Sequence, residues 1–148
     1  MWMLWLLFAL GALAGHVALS GQTGQVRAAP ARAGDLAQSM AVYRTAVMAY
    51  VAAHAGFRGA VADGDLLLPP WYVRLPWWRN HVADGMVTVY AVPSPTGFVA
   101  ELQRLAGGSM LAGEARGGRL HAPAFGDTGI VLPAEVPDLA PVWLAPID

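Results

Sequence analysis

The rest of the domain is organised around residues 35–54, DLAQSMAVYRTAVMAYVAAH. Large side chains recur there at alternating spacings of four and three, the repeat of one helical face; they are Leu36, Met40, Tyr43, Val47, Tyr50 and His54. Gly34 and Asp35 stand where an N-terminal cap is expected, and Gly56 stands just past the expected end of the helix. A helix with one apolar stripe needs a partner sheet to cover that stripe.

Downstream of this helix, short apolar runs alternate with turn residues. Turns are expected at residues 63–65, 84–85 and 117–118. Strands are expected at 60–62, 86–92, 110–115, 119–122 and 129–132, and a second helix is expected at 97–106, capped by Ser94 or Thr96 and ended by Gly107-Gly108. The proline-rich tail after Pro133 should be extended and held by residues 142–144. The sequence therefore predicts an α+β fold, with one long amphipathic helix on a short-stranded, mainly antiparallel sheet and a second short helix.

The N-terminal residues predict a membrane anchor followed by a linker. Residues 1–20 carry no charged side chain, and the apolar run would span about 28 Å as a helix, close to the roughly 30 Å hydrocarbon core. Trp2 and Trp5 suit an interface. Residues 21–34 contain Gly, Ala and Pro and predict a linker, which leaves residues 35–148 as the globular domain. The alternative is a signal peptide cleaved near Ser20, although no basic residue precedes the apolar run.

Charge and composition argue against several classes of function. The net charge is −1, so nothing favours a nucleic-acid partner. The chain has no Cys, which excludes disulfides, thiolate catalysis and Cys-ligated metals. His54, His81 and His121 are scattered, and neither a GxSxG motif nor a P-loop occurs. We therefore predict that the protein is not an enzyme and has no catalytic residues, no metal, no cofactor and no small-molecule substrate.

Aromatic side chains are concentrated within residues 66–78, LLLPPWYVRLPWW. Three prolines in this segment exclude a helix interior and a central strand, so we expect an extended segment laid across the domain. Its aromatic residues could supply a small core, which is our expectation for most of the tryptophans. They could also form a docking surface, because Trp, Tyr and Arg are favoured at interface centres. The predicted partner-binding residues, here named the aromatic strip, are Trp71, Tyr72, Trp77, Trp78 and Arg79.

A series of short strings carries a family resemblance. In order they are YRTAV (43–47), HAGFRG (54–59), LPPWY (68–72), WRNHV (78–82), RL (119–120) and GDTGIVLP (126–133). Together with the apolar start and the linker, they resemble the small PilM proteins of type IVB (thin) pilus systems, which are distinct from the larger actin-like protein of the same name. The resemblance implies an inner-membrane protein of the pilin transport apparatus or pilus base. It also implies other pilus assembly proteins as partners, and it assigns no catalytic residues.

Two functional hypotheses follow. The first is a membrane-anchored, noncatalytic component of pilus biogenesis in the bacterial inner membrane, which acts through protein–protein contacts of the aromatic strip or of a sheet edge. The alternative is a pilin-like minor structural subunit of the fibre, but glycines and Pro30 interrupt the continuous N-terminal helix that pilins have. The sequence is compatible with two membrane orientations of the globular domain. Arg27 and Arg32 favour a cytoplasmic domain by the positive-inside rule, whereas a place beside the pilus machinery favours the periplasmic domain that we expect.

Overall fold

The computed structural model describes residues 32–147, which form two helices and six strands. Residues 32–53 belong to helix α1. The elements that follow are β1 (Trp78–Ala83), β2 (Met86–Ala91), α2 (Phe98–Leu105), β3 (Ala112–Arg116), β4 (Arg119–Ala122), β5 (Gly126–Val131) and β6 (Pro141–Pro146). A 3₁₀ turn at Asp63–Asp65 lies where a turn was predicted.

Helix α1 forms where the sequence predicted a helix, but the chain is already helical at residue 32, three residues before the expected start. Ala33, Ala37 and Met40 continue the spacing of four and three and are all buried, so the buried stripe extends one turn further back. Gly34 and Asp35 therefore lie inside the helix, and the predicted cap at these residues is wrong.

The other end of α1 agrees more closely with the prediction. Gly56 has a φ of +80°, a conformation that glycine adopts without a steric penalty, and it lies just past the helix. The buried stripe ends at Val51, however, because Tyr50 is only half-buried and His54 is exposed. The imidazole of His54 stacks on the Tyr50 ring with centroids 4.0 Å apart.

The six strands form one antiparallel sheet in the order β1-β2-β6-β3-β4-β5. The β1–β2 hairpin turns at Asp84 and Gly85, both with positive φ, as a two-residue hairpin loop requires. The β3–β4 hairpin turns at Gly117 and Gly118 in the same way. Both turns were predicted from the sequence.

The two faces of the sheet carry separate cores. Val87 and Val89 of β2 share a cluster with Met40, Tyr43 and residues of α2, so both helices cover this face. The opposite face has a smaller cluster that includes strand residues of β2 and β6 and is covered by the segment 132–140. Successive side chains of a strand point to opposite faces of the sheet, so alternate residues of β2 belong to the two different clusters.

An arginine also links α1 to the sheet. The Arg44 guanidinium donates a hydrogen bond to the Leu144 carbonyl at 3.1 Å and lies over the Trp143 ring, 4.7 Å from its centroid. Burial lowers the pKa of Arg44, because desolvation disfavours the charged form. Helix α1 is thus held on β6 by polar contacts as well as by packing.

Several strands differ from the prediction, and β1 forms at Trp78–Ala83, where no strand was expected. The strand expected at 60–62 is absent, and only an isolated bridge joins Gly59 to Val82. Strand β6 occupies the tail that we expected to be merely extended, and it lies between β2 and β3. Its prolines, Pro141 and Pro146, are the first and last residues of the strand, where a missing N–H disturbs the ladder least.

The second helix was predicted correctly except for its cap. Helix α2 spans Phe98–Leu105, and Gly107 and Gly108 follow it with positive φ. Its N-terminal cap is Gly97, with no side-chain hydrogen bond, so the predicted cap by Ser94 or Thr96 is wrong.

The predicted anchor and the predicted linker up to residue 31 lie outside the described residues. Residues 32–34, which the sequence placed in the linker, are helical. Neither helix within residues 32–147 combines the length and the apolar character that crossing a bilayer requires.

Candidate contact surface

The aromatic strip is divided between the core and the surface. Trp78 is fully buried and stacks on Phe98 of α2, with ring centroids 5.8 Å apart, so it is a core residue. Tyr72 and Trp77 are half-buried and pack against the first core. Trp71 is 71% exposed and meets the Tyr72 ring edge-on at 6.3 Å. Only part of the strip is therefore available to a partner.

A hydrogen-bond network fastens this segment to α1. Ser39 of α1 accepts a bond from the Trp78 indole N–H at 3.2 Å and donates to the Tyr72 hydroxyl at 3.1 Å. The Tyr72 hydroxyl in turn donates to the Ser39 carbonyl at 3.0 Å. Burial raises the pKa of Tyr72, while hydrogen bonds with Ser39 and Trp78 oppose the rise. Ser39 thus positions both half-buried Tyr72 and buried Trp78.

Two arginines hold the same segment from its other side. Arg74 forms an ion pair with Asp63 at 2.8 Å and donates to the Trp78 carbonyl at 3.1 Å. Exposed Arg79 donates to the Pro76 carbonyl at 2.6 Å and to the Trp78 carbonyl at 2.9 Å. With the Gly59 bridge to Val82, these bonds occupy part of the outer edge of β1. This sheet edge is therefore less open to a partner strand than an unprotected edge would be.

A groove of about 370 Å³ lies between α1 and the fastened segment, and we name it the contact groove. Its lining residues come from both sides: Asp35, Gln38, Ser39, Val42, Trp71, Tyr72 and Val73. Trp71 and Val73 are largely exposed, with Val73 at 78%, and Leu67 of the same segment is 91% exposed. Exposed apolar side chains that lie together are typical of a binding surface, and Trp71 and Val73 both line this groove.

Sequence reasoning missed two residues that position this surface. Ser39 was not singled out because a serine within a helix more often faces solvent. Asn80 was missed because it is 6% exposed inside a strand that the sequence analysis did not recognise. The Asn80 side chain bonds the backbone of Val61 and the hydroxyl of Tyr43. The sequence signal that could have indicated β1 is the alternation of Trp78, Asn80 and Val82, which all face α1.

Within residues 32–147, no group of three or more His, Asp or Glu side chains is arranged to hold a metal ion. Among the same residues, His81 Nδ1 lies 3.8 Å from a carboxylate oxygen of Glu135. The absence of enzyme activity and of a cofactor stays a prediction.

Residues 32–147 thus form a small α+β domain with a six-stranded antiparallel sheet, two helices and an exposed apolar groove. A sequence model of the PilM family matches residues 8–144, so the chain belongs to the PilM family. The resemblance found in the sequence is thereby confirmed.

Solved structures add the following comparisons. A crystal structure described as a PilM protein from Escherichia coli B7A shares the fold, with a TM-score of 0.59 and 24% identity, covering 78% of this chain and 93% of that chain. Another, described as a pilM protein from Pseudomonas aeruginosa 2192, is 32% identical, covering 78% of this chain and 94% of that chain, with a TM-score of 0.48. A search of curated proteins finds no match.

Proposed function

We propose that this protein is a membrane-anchored, noncatalytic component of type IVB pilus biogenesis that acts at the pilus base or in the pilin transport apparatus. Residues 1–20 would hold it in the inner membrane with the globular domain in the periplasm. The contact groove would bind another pilus assembly protein. Membership of the PilM family supports the pilus-related part of this proposal.

The observation that carries the contact role is the exposure of Trp71 and Val73 on a segment that is already fastened to α1. Ordering a flexible loop on binding costs free energy, and a segment held by hydrogen bonds has lost that freedom in advance. A tryptophan at an interface centre commonly contributes about 2 kcal/mol or more, which corresponds to roughly 30-fold in affinity. Trp71 is therefore the first residue to test.

The test is complementation of a deletion strain with chains carrying Trp71→Ala or Val73→Asp. We expect the deletion to abolish piliation, and we expect both variants to restore it poorly while unfolding at the wild-type temperature. A photo-crosslinking residue at position 71 should label a protein of the pilus machinery. Labelling of lipid alone would contradict a protein partner.

Phe125→Ala is the matched control, because Phe125 is also an exposed aromatic residue but lies outside the contact groove, between β4 and β5. It should restore piliation fully. Normal piliation in the deletion strain would contradict the pilus role itself. Normal piliation with Trp71→Ala, in a strain whose deletion abolishes pili, would leave the role standing and exclude this surface.

Two further measurements address location. A reporter that is active only outside the cytoplasm, fused after Asp148, should be active and retained in membranes. Activity in a soluble fraction would instead indicate cleavage near Ser20. Recovery of the protein in sheared, purified fibres would favour the alternative, a pilin-like subunit.

A further inference from the structure

A cleft of about 430 Å³ opens on the sheet face opposite α1. Met86 and Thr88 of β2 and Leu144 of β6 contribute strand residues to it, and His81 of β1 lines it as well. Residues 130–135, where the chain leaves β5, complete the lining. The volume falls in the lower part of the range of ligand sites, roughly 300–1,000 Å³, which suits a few side chains.

The apolar part of the cleft is partly open to solvent. Val131 is 74% exposed, and Met86 and Ile130 are half-buried. Pro133 and Ala134 continue the same wall. An aliphatic side chain placed against these residues would remove apolar surface from water, at about 25 cal/mol per Å².

A buried hydroxyl lines the same cleft. Thr88 is only 2% exposed and is one of the residues that line the cleft. A hydroxyl can act as both a donor and an acceptor of hydrogen bonds. Thr88 is therefore placed to bond a polar group of a bound molecule, such as a peptide amide.

The charges of the cleft are acidic. Asp84 and Glu135 line it, and its lining contains no Arg or Lys. The His81 Nδ1 lies 3.8 Å from a Glu135 oxygen, beyond hydrogen-bond distance. Arg58 approaches Asp84 at 3.7 Å, but both side chains are largely exposed, so solvent screens that pair. The cleft thus complements a cation.

We propose that this cleft binds a short peptide segment of a partner protein in which a lysine or arginine stands beside an aliphatic residue. The cationic group lies between Glu135 and Asp84, and the methylene stem of the basic residue follows the apolar wall. The aliphatic neighbour covers Met86 and Val131, and a peptide amide bonds the Thr88 hydroxyl. The site goes beyond the proposed function, because it lies on the other face of the sheet and does not depend on the contact groove or on a pilus role.

The test uses the full-length chain in a neutral detergent, with backbone amides observed by NMR. The probe is the peptide acetyl-Leu-Lys-Leu-amide, compared with the same peptide carrying an acetylated lysine and with one carrying glutamate in place of lysine. We expect the lysine peptide to shift the amide signals of Thr88 and Ile130, and we expect the two other peptides to bind more weakly. Added salt should weaken the lysine peptide most.

Substitutions give the residue-level test. Glu135→Gln should weaken binding of the lysine peptide about two- to fivefold, the range for partly exposed charge pairs. Glu114→Gln is the control, because Glu114 is a carboxylate that pairs with Arg116 outside the cleft. This substitution should leave binding of the lysine peptide unchanged. The proposal is overturned if the lysine peptide fails to bind at its solubility limit, if the three peptides bind equally, or if the shifted signals lie in the contact groove.

Discussion

Removal of the Asn80 side chain is the most informative single perturbation of this fold. Asn80 lies on β1, and its carboxamide oxygen accepts a hydrogen bond from the Val61 N–H at 2.7 Å. Its amide nitrogen donates to the Val61 carbonyl at 3.0 Å and to the Tyr43 hydroxyl at 2.8 Å. One side chain therefore pairs both backbone groups of Val61, as a neighbouring strand would, and also ties them to α1.

The structure sets the size of the expected effect. Asn80→Ala removes three hydrogen bonds and leaves three groups without partners in a region where Asn80 is 6% exposed and Tyr43 is fully buried. Each buried group left unsatisfied costs about 1–3 kcal/mol, and water entering the vacated space offsets part of this cost. We expect a loss of about 3–5 kcal/mol in the free energy of unfolding, well above the value near 1 kcal/mol of an average substitution.

Urea unfolding of the full-length chain in a neutral detergent, followed by tryptophan fluorescence, measures this loss. Tyr43→Phe is the internal control, because it removes only the bond to the Tyr43 hydroxyl and should cost about 1 kcal/mol. The double variant should lose less than the sum of the two single losses, since both remove the same bond. A loss below about 1 kcal/mol for Asn80→Ala would mean that these three hydrogen bonds contribute little to the stability of the fold.

Two other predictions concern close packing and pH. A Cβ added at Gly113 would overlap the His121 carbonyl oxygen, so Gly113→Ala should lower the free energy of unfolding by about 2–3 kcal/mol by forcing the backbone apart. Gly64→Ala is the control and should be nearly neutral, because the space around Gly64 is open. Thermal unfolding compares the two variants, and equal unfolding temperatures would contradict the close packing at Gly113. Burial, and then the Glu135 carboxylate, raises the pKa of Tyr90 above its usual value of 10. The unfolded chain therefore releases this proton first, and stability should fall as the pH rises above 10. The stability of Tyr90→Phe, measured by urea unfolding across pH 9–11, should fall less steeply with pH than that of the wild-type protein. Parallel curves would show that Tyr90 does not contribute to this pH dependence.

Several elements could be predicted from the sequence because their causes are local. The spacing of four and three in residues 35–54 indicated α1. Ala33 and Ala37 extend its buried stripe toward the N-terminus, and such small residues give only a weak periodic signal in the sequence. Asp84-Gly85 and Gly117-Gly118 indicated the hairpins, because few other residues adopt positive φ at both turn positions. The strings shared with the PilM family indicated the family.

Other features depended on distant partners and were missed or only partly predicted. Strand β1 was hidden because Asn80 breaks its apolar alternation, and this asparagine is acceptable only where Val61 and Tyr43 satisfy it. Strand β6 resembled an irregular tail because of its terminal prolines, and its central place follows from pairing with β2 and β3. A local pattern does not contain these partners.

The long helix, the turns, the α+β class and the family could be predicted because periodicity, turn chemistry and short strings lie within neighbouring residues. Which members of the aromatic strip are buried depends instead on tertiary contacts. Trp78 and Trp71 look alike in the sequence, but the bond from Trp78 to Ser39 spans 39 positions and the ring stacks on Phe98, whereas Trp71 stays largely in solvent. Burial depends on what a distant part of the chain places nearby, so the contact groove and the acidic cleft exist only in the folded domain.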